Sequence, residues 1–267
     1  MPDLVMFAST CSLVWSSPAI PKLKSTNLEI NPLGFPITPF QESWIAALPS
    51  LGATVGPLLS GKFADVYGRK NMLMVLAILE IISYIILSFA TNIYIYYLAR
   101  FLLGIGVGIC FAVLPLFIGE ISEDHNRGKL GCTMGIFATL GVLYTLSIAP
   151  LLSLKIFTLS CTVPLIFVLI SFILVIPETP IYLASIGDKE NAVKSLRKLR
   201  NENKKVAEKD LQEILKIIEE SSSSSEGFIE IFKMTALRKG LIICAGLCFF
   251  STIFRRYCNF GIYRPYF

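Results

Sequence analysis

The segment that decides the fold is GKFADVYGRK, residues 61–70, which lies between two long apolar stretches. Its pattern is G-x-x-x-D-x-x-G-R-K, so glycines alternate with an acidic and a basic position. Glycine lets the chain reverse tightly, Asp65 suits a positive helix end, and Arg69 is a fork-shaped donor for carboxylates or helix carbonyls. Such a set can hold two helix bundles together and release them.

The composition agrees with a chain surrounded by lipid. It has 267 residues, of which 54% are hydrophobic and 16% charged, and its mean hydropathy is +0.66. Soluble domains carry about 25% charged residues, because water demands a polar surface. We therefore predict an integral membrane protein of the all-α class.

Seven segments are candidates to cross a bilayer as helices of about 20 residues. They are predicted at about 4–20, 43–61, 71–90, 93–118, 130–152, 156–176 and 236–254. The first six form an amino-terminal bundle within residues 1–183. Residues 236–267 form a partial seventh helix with an atypical tail. Residues 4–20 do not read as a signal peptide, since no basic residue precedes them.

Residues 184–235 are predicted to form an amphipathic helical linker outside the membrane, because charged and apolar positions alternate at helical spacing. Lys and Arg gather in alternate loops, with three in 62–70, two in 127–129 and twelve in 189–239. This bias predicts that the amino terminus and the linker are cytoplasmic in a multi-pass protein of the cell membrane. Basic loops between apolar spans also argue against a nucleic-acid-binding surface.

The cysteine and histidine pattern excludes a metal centre or a disulfide framework. The seven cysteines form no paired C-x-x-C motifs, and the chain has a single histidine, His125. No nucleophile and base lie in a pattern that indicates an enzyme.

Four motifs, taken in order, resemble one known family. They are GKFADVYGRK at 61–70, RFLLGIGVG at 100–108, PLFIGEIS at 115–122 with Arg127-Gly128 after it, and PETPIYL at 177–183. Over about residues 5–250, the chain resembles the sugar porter family of the major facilitator superfamily. The runs WSSP at 15–18 and QESWIAALPSLGA at 41–53 are most similar to insect facilitated trehalose transporters.

The resemblance implies a facilitative uniporter for a hexose or trehalose that works by alternating access without a cofactor. It assigns to a cytoplasmic charge network the residues Asp65, Arg69, Lys70, Arg100, Glu120, Arg127 and Glu178. Where the family has an arginine after PETP, this chain has Ile181, so we expect one contact of that network to be absent.

The run GIGVG does not indicate a nucleotide site, because no strand precedes it and it lies within an apolar span. Gly104 and Gly108 instead have the small-xxx-small spacing that permits close helix packing. Glu80 lies in the middle of an apolar span, which marks it as a functional candidate. A protonated structural role and a proton-coupling role both stay open. The first span has no acidic residue in its apolar part, which favours passive transport.

The chain departs from the family at the sugar site. Gly135 stands where the family has a sugar-binding glutamine, and Thr139 lies one turn later, so we name both as candidate substrate-lining residues. The glutamine-rich motif of helix 7 is absent. We expect a truncated product, inactive alone, because alternating access needs two bundles. Alternatives are a membrane partner that modulates a full-length transporter, or a transporter of another small organic solute.

Overall fold

The computed structural model describes residues 2–27, 31–122, 125–200 and 204–222, together with residues 239, 240, 242, 243, 246 and 250. The chain divides into two units, residues 1–215 and 216–267. Of the second unit, only the end of one helix and those six residues are described. The predicted seventh span, 236–254, and the tail therefore lie largely outside the described residues.

Regular secondary structure in the described part of the chain is helical. Eleven helices follow one another there: α1 (Leu4–Val14), α2 (Ser16–Leu23), α3 (Pro39–Tyr67), α4 (Arg69–Ser88), α5 (Ile93–Ile121), α6 (Arg127–Ile148), α7 (Leu154–Ser160), α8 (Thr162–Leu174), α9 (Pro180–Ser185), α10 (Lys189–Arg200) and α11 (Lys204–Ser222).

Six helical segments are long and apolar enough to cross a membrane, within the residues that the structure describes. Two of them are broken helices, since α1 with α2 spans Leu4–Leu23 and α7 with α8 spans Leu154–Leu174; α3, α4, α5 and α6 are the others. The predicted all-helical membrane class is confirmed. The chain is thus a multi-pass membrane protein.

Helix α3 is longer than the predicted span 43–61 at both ends. It begins at Pro39 after a capping box. The Gln41 backbone N–H donates to the Thr38 hydroxyl, and the Thr38 backbone N–H donates to the Gln41 side-chain oxygen. It continues to Tyr67, so most of the charged motif is helical. The chain reverses at Gly68 alone, whose φ of 96° favours glycine.

Helix α5 is the centre of the bundle. In the most apolar stretch of α5, 61% of the residues are buried inside the protein, whereas in that of α6 only 17% are. Its glycines allow α3 to approach closely. A Cβ added at Gly104 would lie 2.3 Å from the Pro49 carbonyl oxygen, and one at Gly108 would lie 2.5 Å from that of Ala53.

The facing positions on α3 are also glycines. A Cβ at Gly52 would lie 2.3 Å from the Phe101 carbonyl oxygen, and one at Gly56 would lie 2.5 Å from that of Ile105. The two helices therefore meet backbone to backbone, as small-xxx-small pairs do in membranes. Two internal prolines, Pro49 and Pro57, remove backbone donors from α3.

Candidate functional site

Arg69 joins three helices at one end of the bundle, where α3 and α5 end and α4 begins. We name it the charged end. The guanidinium donates from Nε to Glu120 Oε1 at 2.9 Å and from Nη1 to the Ala64 carbonyl oxygen at 3.1 Å. Its Nη2 lies 3.0 Å from Asp65 Oδ1. The guanidinium also lies over the ring of Tyr182, 5.5 Å from its centroid. One side chain thus ties the end of α3 to the end of α5.

The pairing of Arg69 with Glu120 is sheltered from water. The two side chains are 16% and 14% exposed, whereas that of Asp65 is 72% exposed. A charge-assisted hydrogen bond is stronger where water competes less. Glu120 is therefore the main partner of Arg69.

The start of α4 binds Glu178. The Lys70 backbone N–H donates to Glu178 Oε1 at 3.0 Å, as does the Thr179 N–H. A carboxylate at a helix amino terminus satisfies an unpaired N–H and opposes the positive end of the helix dipole. The Lys70 contact is thus made by its backbone.

Gly68 is required here for two reasons. Its φ is positive, and a Cβ would lie 2.4 Å from Glu178 Oε2. The sequence expectation placed Asp65 at a positive helix end, and that expectation is wrong. Because α3 runs on to Tyr67, Asp65 sits in its last turn beside carbonyl groups. The acid at the positive helix end is Glu178.

Helix α9 closes the charged end through its first residues. The Thr179 hydroxyl donates to Glu120 Oε2 at 2.6 Å, so both Glu120 oxygens are bonded. The Tyr182 hydroxyl donates to the Val66 carbonyl oxygen of α3 at 2.8 Å. Ser195 of α10 donates to the Glu178 carbonyl oxygen at 2.6 Å. The ends of α3, α4 and α5 are thereby bonded to α9 and α10.

Arg127 lies at the same end, where its Nη2 is 3.5 Å from the Gly119 carbonyl oxygen. The structure therefore brings together Asp65, Arg69, Lys70, Glu120, Arg127 and Glu178.

The assignment of Arg100 to this network is wrong. Arg100 and Glu120 lie on the same helix, about 30 Å apart at 1.5 Å per residue. Arg100 is 1% exposed. It donates to the Ser12 carbonyl oxygen at 2.7 Å, to Ser16 Oγ at 2.6 Å and to the Ile45 carbonyl oxygen at 3.4 Å.

The partners of Arg100 have a local cause. Pro49 cannot donate to the Ile45 carbonyl, and the break between α1 and α2 lies at Trp15. The guanidinium lies over the Trp15 ring, 5.1 Å from its centroid. Arg100 thus supplies donors where two helices are irregular.

The two candidate substrate-lining residues lie on the exposed side of α6. Both Gly135 and Thr139 are exposed, and a Cβ added at Gly135 would meet no atom within 4 Å. The Thr139 hydroxyl donates to the Gly135 carbonyl oxygen at 2.9 Å. The two residues share one open helix face.

A groove of about 470 Å³ lies between α3, α4 and α5, and it does not suit a sugar. Its lining is apolar except at Tyr67 and Asn71: Leu59, Phe63, Tyr67, Asn71, Met72, Val75, Leu79, Ile105 and Ile109. The Asn71 amide already donates to the Tyr67 carbonyl oxygen at 2.8 Å. A polyol needs several convergent donors and acceptors.

Sequence reasoning missed Thr179 and Tyr182 as members of the charged end. Thr179 precedes Pro180 and caps α9 by accepting from the Tyr182 N–H. A threonine followed by proline is a signature of a helix start, and that signal would have placed the Thr179 side chain at a helix end. No sequence signal pointed to the bond between Tyr182 and Val66.

The comparisons with known proteins match this architecture. The family model described as "Sugar (and other) transporter" matches residues 15–260. The chain is 30% identical to the facilitated trehalose transporter Tret1 of Culex quinquefasciatus over 245 residues, covering 91% of this chain and 46% of that protein. It is 31% identical to the protein of the same name from Drosophila mojavensis over 257 residues, covering 94% and 28%.

Among solved structures, the proton:xylose symporter XylE bound to 6-bromo-6-deoxy-D-glucose aligns with a TM-score of 0.70 at 21% identity, over 87% of this chain and 56% of that one. A partially occluded inward-open XylE from E. coli aligns with a TM-score of 0.69. The fold is thus a six-helix bundle of the major facilitator type. The chain spans less than half the length of those two curated relatives. With a family model matched over most of its length, this chain belongs to the sugar (and other) transporter family.

Proposed function

We propose that these helices form one of the two bundles of a facilitative sugar transporter, with a hexose or trehalose as its substrate. The observation that carries the proposal is the charged end, where Arg69, Glu120 and Glu178 bond the ends of α3, α4 and α5 to α9. Relatives named as facilitated trehalose transporters support the choice of sugar.

In this proposal the charged end works the inner gate. Ion pairs at the membrane boundary are partly removed from water and have two stable arrangements. In one the pair is formed, and in the other its members bind other partners. The formed arrangement holds α3, α4 and α5 together and keeps the inner side closed. Sugar binding near the midplane offsets the free energy of opening it, and the two bundles then rock about the site.

We further propose that the protein lies in the cell membrane, with the charged end on the cytoplasmic side. The twelve Lys and Arg residues in 189–239 support this orientation. An epitope inserted between α10 and α11 should then be inaccessible to antibody in intact cells and accessible after permeabilisation. Labelling of intact cells would reverse the orientation.

The transport proposal is tested with a chimera in which residues 1–183 replace the matching bundle of the Culex transporter. Uptake of radiolabelled trehalose and glucose is measured in cells that show the chimera at their surface. We expect saturable uptake of one of the two sugars. In cells expressing the 267-residue chain alone, we expect no uptake above background.

Two neighbouring substitutions make a matched pair in that chimera. Arg69→Gln removes the side chain that bonds Glu120, whereas Lys70→Gln removes the same charge but keeps the backbone contact with Glu178. We expect uptake to be lost in the first and largely kept in the second. Equal uptake by both variants, or uptake of neither sugar by the unchanged chimera, would count against the proposal.

A second candidate function is suggested by the open face of α6, which carries Gly135 and Thr139. A membrane helix with so little buried surface suits a bilayer partner, and this chain would then pair with a full-length relative and modulate it. Co-purification of the chain with the Culex transporter, together with a changed rate of trehalose uptake, supports this function. Independent migration of the two proteins opposes it.

A further inference from the structure

Glu80 is a carboxyl group in the middle of spanning helix α4 that the proposed gate does not use. None of its surface is exposed. Its Oε1 accepts a hydrogen bond from the Ser9 hydroxyl of α1 at 2.7 Å, while its Oε2 has no hydrogen-bond partner. No Lys or Arg forms an ion pair with it among the described residues.

In the described part of the chain, the groups around Glu80 offer no compensating positive charge. Arg100 of α5 is bonded to Ser12 and Ser16 and not to Glu80. The other described titratable groups that interact with the carboxyl are neutral or acidic, namely Cys11 of α1, Tyr84 of α4, Cys110 of α5 and Cys161 between α7 and α8. An ionised carboxylate with one neutral partner is strongly disfavoured in such a place.

The bundle is nevertheless shaped to hold this side chain. A Cβ added at Gly106 of α5 would lie 2.6 Å from Glu80 Cγ, so the glycine makes room for the stem. One turn along α4, the Tyr84 hydroxyl donates to the Ala8 carbonyl oxygen at 3.1 Å. Glu80 and Tyr84 thus make neighbouring polar contacts with α1, and this interface is specific rather than a plain apolar contact.

We propose that Glu80 is a proton-binding site, and that its protonated carboxyl, through the hydrogen bond from Ser9, stabilises the contact between α1 and α4. The proton neutralises a charge that no described residue compensates, and the bond to Ser9 is kept. Loss of the proton leaves a buried carboxylate between α1, α4 and α5. The contact between α1 and α4 then weakens as the surroundings become alkaline.

The first test is infrared difference spectroscopy of the purified 267-residue chain at neutral pH. A protonated carboxylic acid has a carbonyl stretch that an ionised carboxylate lacks. We expect this band in the native chain and its loss in Glu80→Gln, which keeps the size of the side chain. Glu190→Gln, at an acid whose side chain is 82% exposed, should leave the band unchanged. The same spectrum in the native chain and Glu80→Gln would overturn the proposal.

The second test measures unfolding in sodium dodecyl sulfate from mildly acidic to mildly alkaline pH. The native chain should become less resistant to unfolding by the detergent as the pH rises, because Glu80 loses the proton that stabilises the folded state. Glu80→Gln carries no titrating proton and should lack that part of the pH dependence. Ser9→Ala should lower resistance at every pH. If Glu80→Gln keeps the full pH dependence of the native chain, the stabilising proton is not bound at Glu80. Neither test depends on sugar transport, so failure of the proposed function leaves both results interpretable.

Discussion

Arg69 and Arg100 show two ways in which this bundle holds a guanidinium. Arg69, at the charged end, bonds two carboxylates and one carbonyl, and 16% of its side chain is exposed. Arg100 is 1% exposed and bonds two carbonyls and one hydroxyl. Among the described ion pairs, none includes Arg100.

In the proposed function, this difference separates a contact that opens during transport from one that holds helices in place. Both Arg69 and its acids gain hydration when they part, which offsets much of the lost attraction. Arg100 is buried and bonds two carbonyls and a hydroxyl, so its release leaves these acceptors without a donor. The Arg69 arrangement suits a gate, whereas the Arg100 arrangement suits a structural contact that holds α1, α3 and α5 together.

The largest effect is expected from Arg100→Met, which keeps much of the side-chain volume and removes every donor. Two carbonyl oxygens and the Ser16 hydroxyl lose a partner, at about 1–3 kcal/mol for each buried group left unpaired. We expect the free energy of unfolding in detergent to fall by about 3–5 kcal/mol. Arg100→Lys should recover part of it. Unchanged stability in Arg100→Met would mean that burying the guanidinium costs as much as its bonds contribute.

The next effect concerns the turn that places Arg69. Gly68→Ala forces a side chain into a positive φ with an extended ψ of 154°, a region that is essentially restricted to glycine and costs about 1–3 kcal/mol. It also sets a Cβ 2.4 Å from Glu178 Oε2. We expect a loss of about 2–3 kcal/mol, measured by the same unfolding assay. Gly61→Ala is the matched control, because Gly61 is helical and a Cβ there meets no atom within 4 Å. That control should be neutral or gain about 0.5–1 kcal/mol. If both variants lose stability alike, the turn geometry is not the cause.

The two arginines also mark what sequence could predict here. The membrane class was accessible from the sequence itself, because apolar runs and charged loops are local properties. The grouping of Arg69 with Glu120 and Glu178 came from the resemblance to the sugar porter family, since the three residues lie in motifs that are far apart in the chain. Arg100 was misplaced because its partners depend on two distant irregularities, the proline at 49 and the helix break at Trp15. Gly52 and Gly56 repeat the spacing of Gly104 and Gly108, so that helix contact was present in the sequence as a pair of matching patterns.

A third prediction measures how separable the Arg69 contact is. A double-mutant cycle of Arg69→Gln and Glu120→Gln should give a coupling free energy of about 1–2 kcal/mol, since the pair is sheltered but not sealed. The coupling should shrink as salt is added. If this coupling free energy exceeds the loss of unfolding free energy in Arg100→Met, the comparison is reversed and Arg69 makes the more stabilising contact.

The smallest effect is expected from Asp65→Asn, the other acid that Arg69 contacts. Its side chain is 72% exposed and pairs with Arg69 at i, i+4 across 3.0 Å. Exposed pairs of this kind contribute about 0.2–0.5 kcal/mol. The acid also lies in the last turn of α3, where a negative charge opposes the helix dipole, so the substitution removes an unfavourable term as well. We expect a change within about 0.5 kcal/mol of zero in the unfolding assay. A loss as large as that of Glu120→Gln would mean that exposure does not rank the two acids, and that Asp65 is sheltered by a contact which α3, α4 and α5 do not supply.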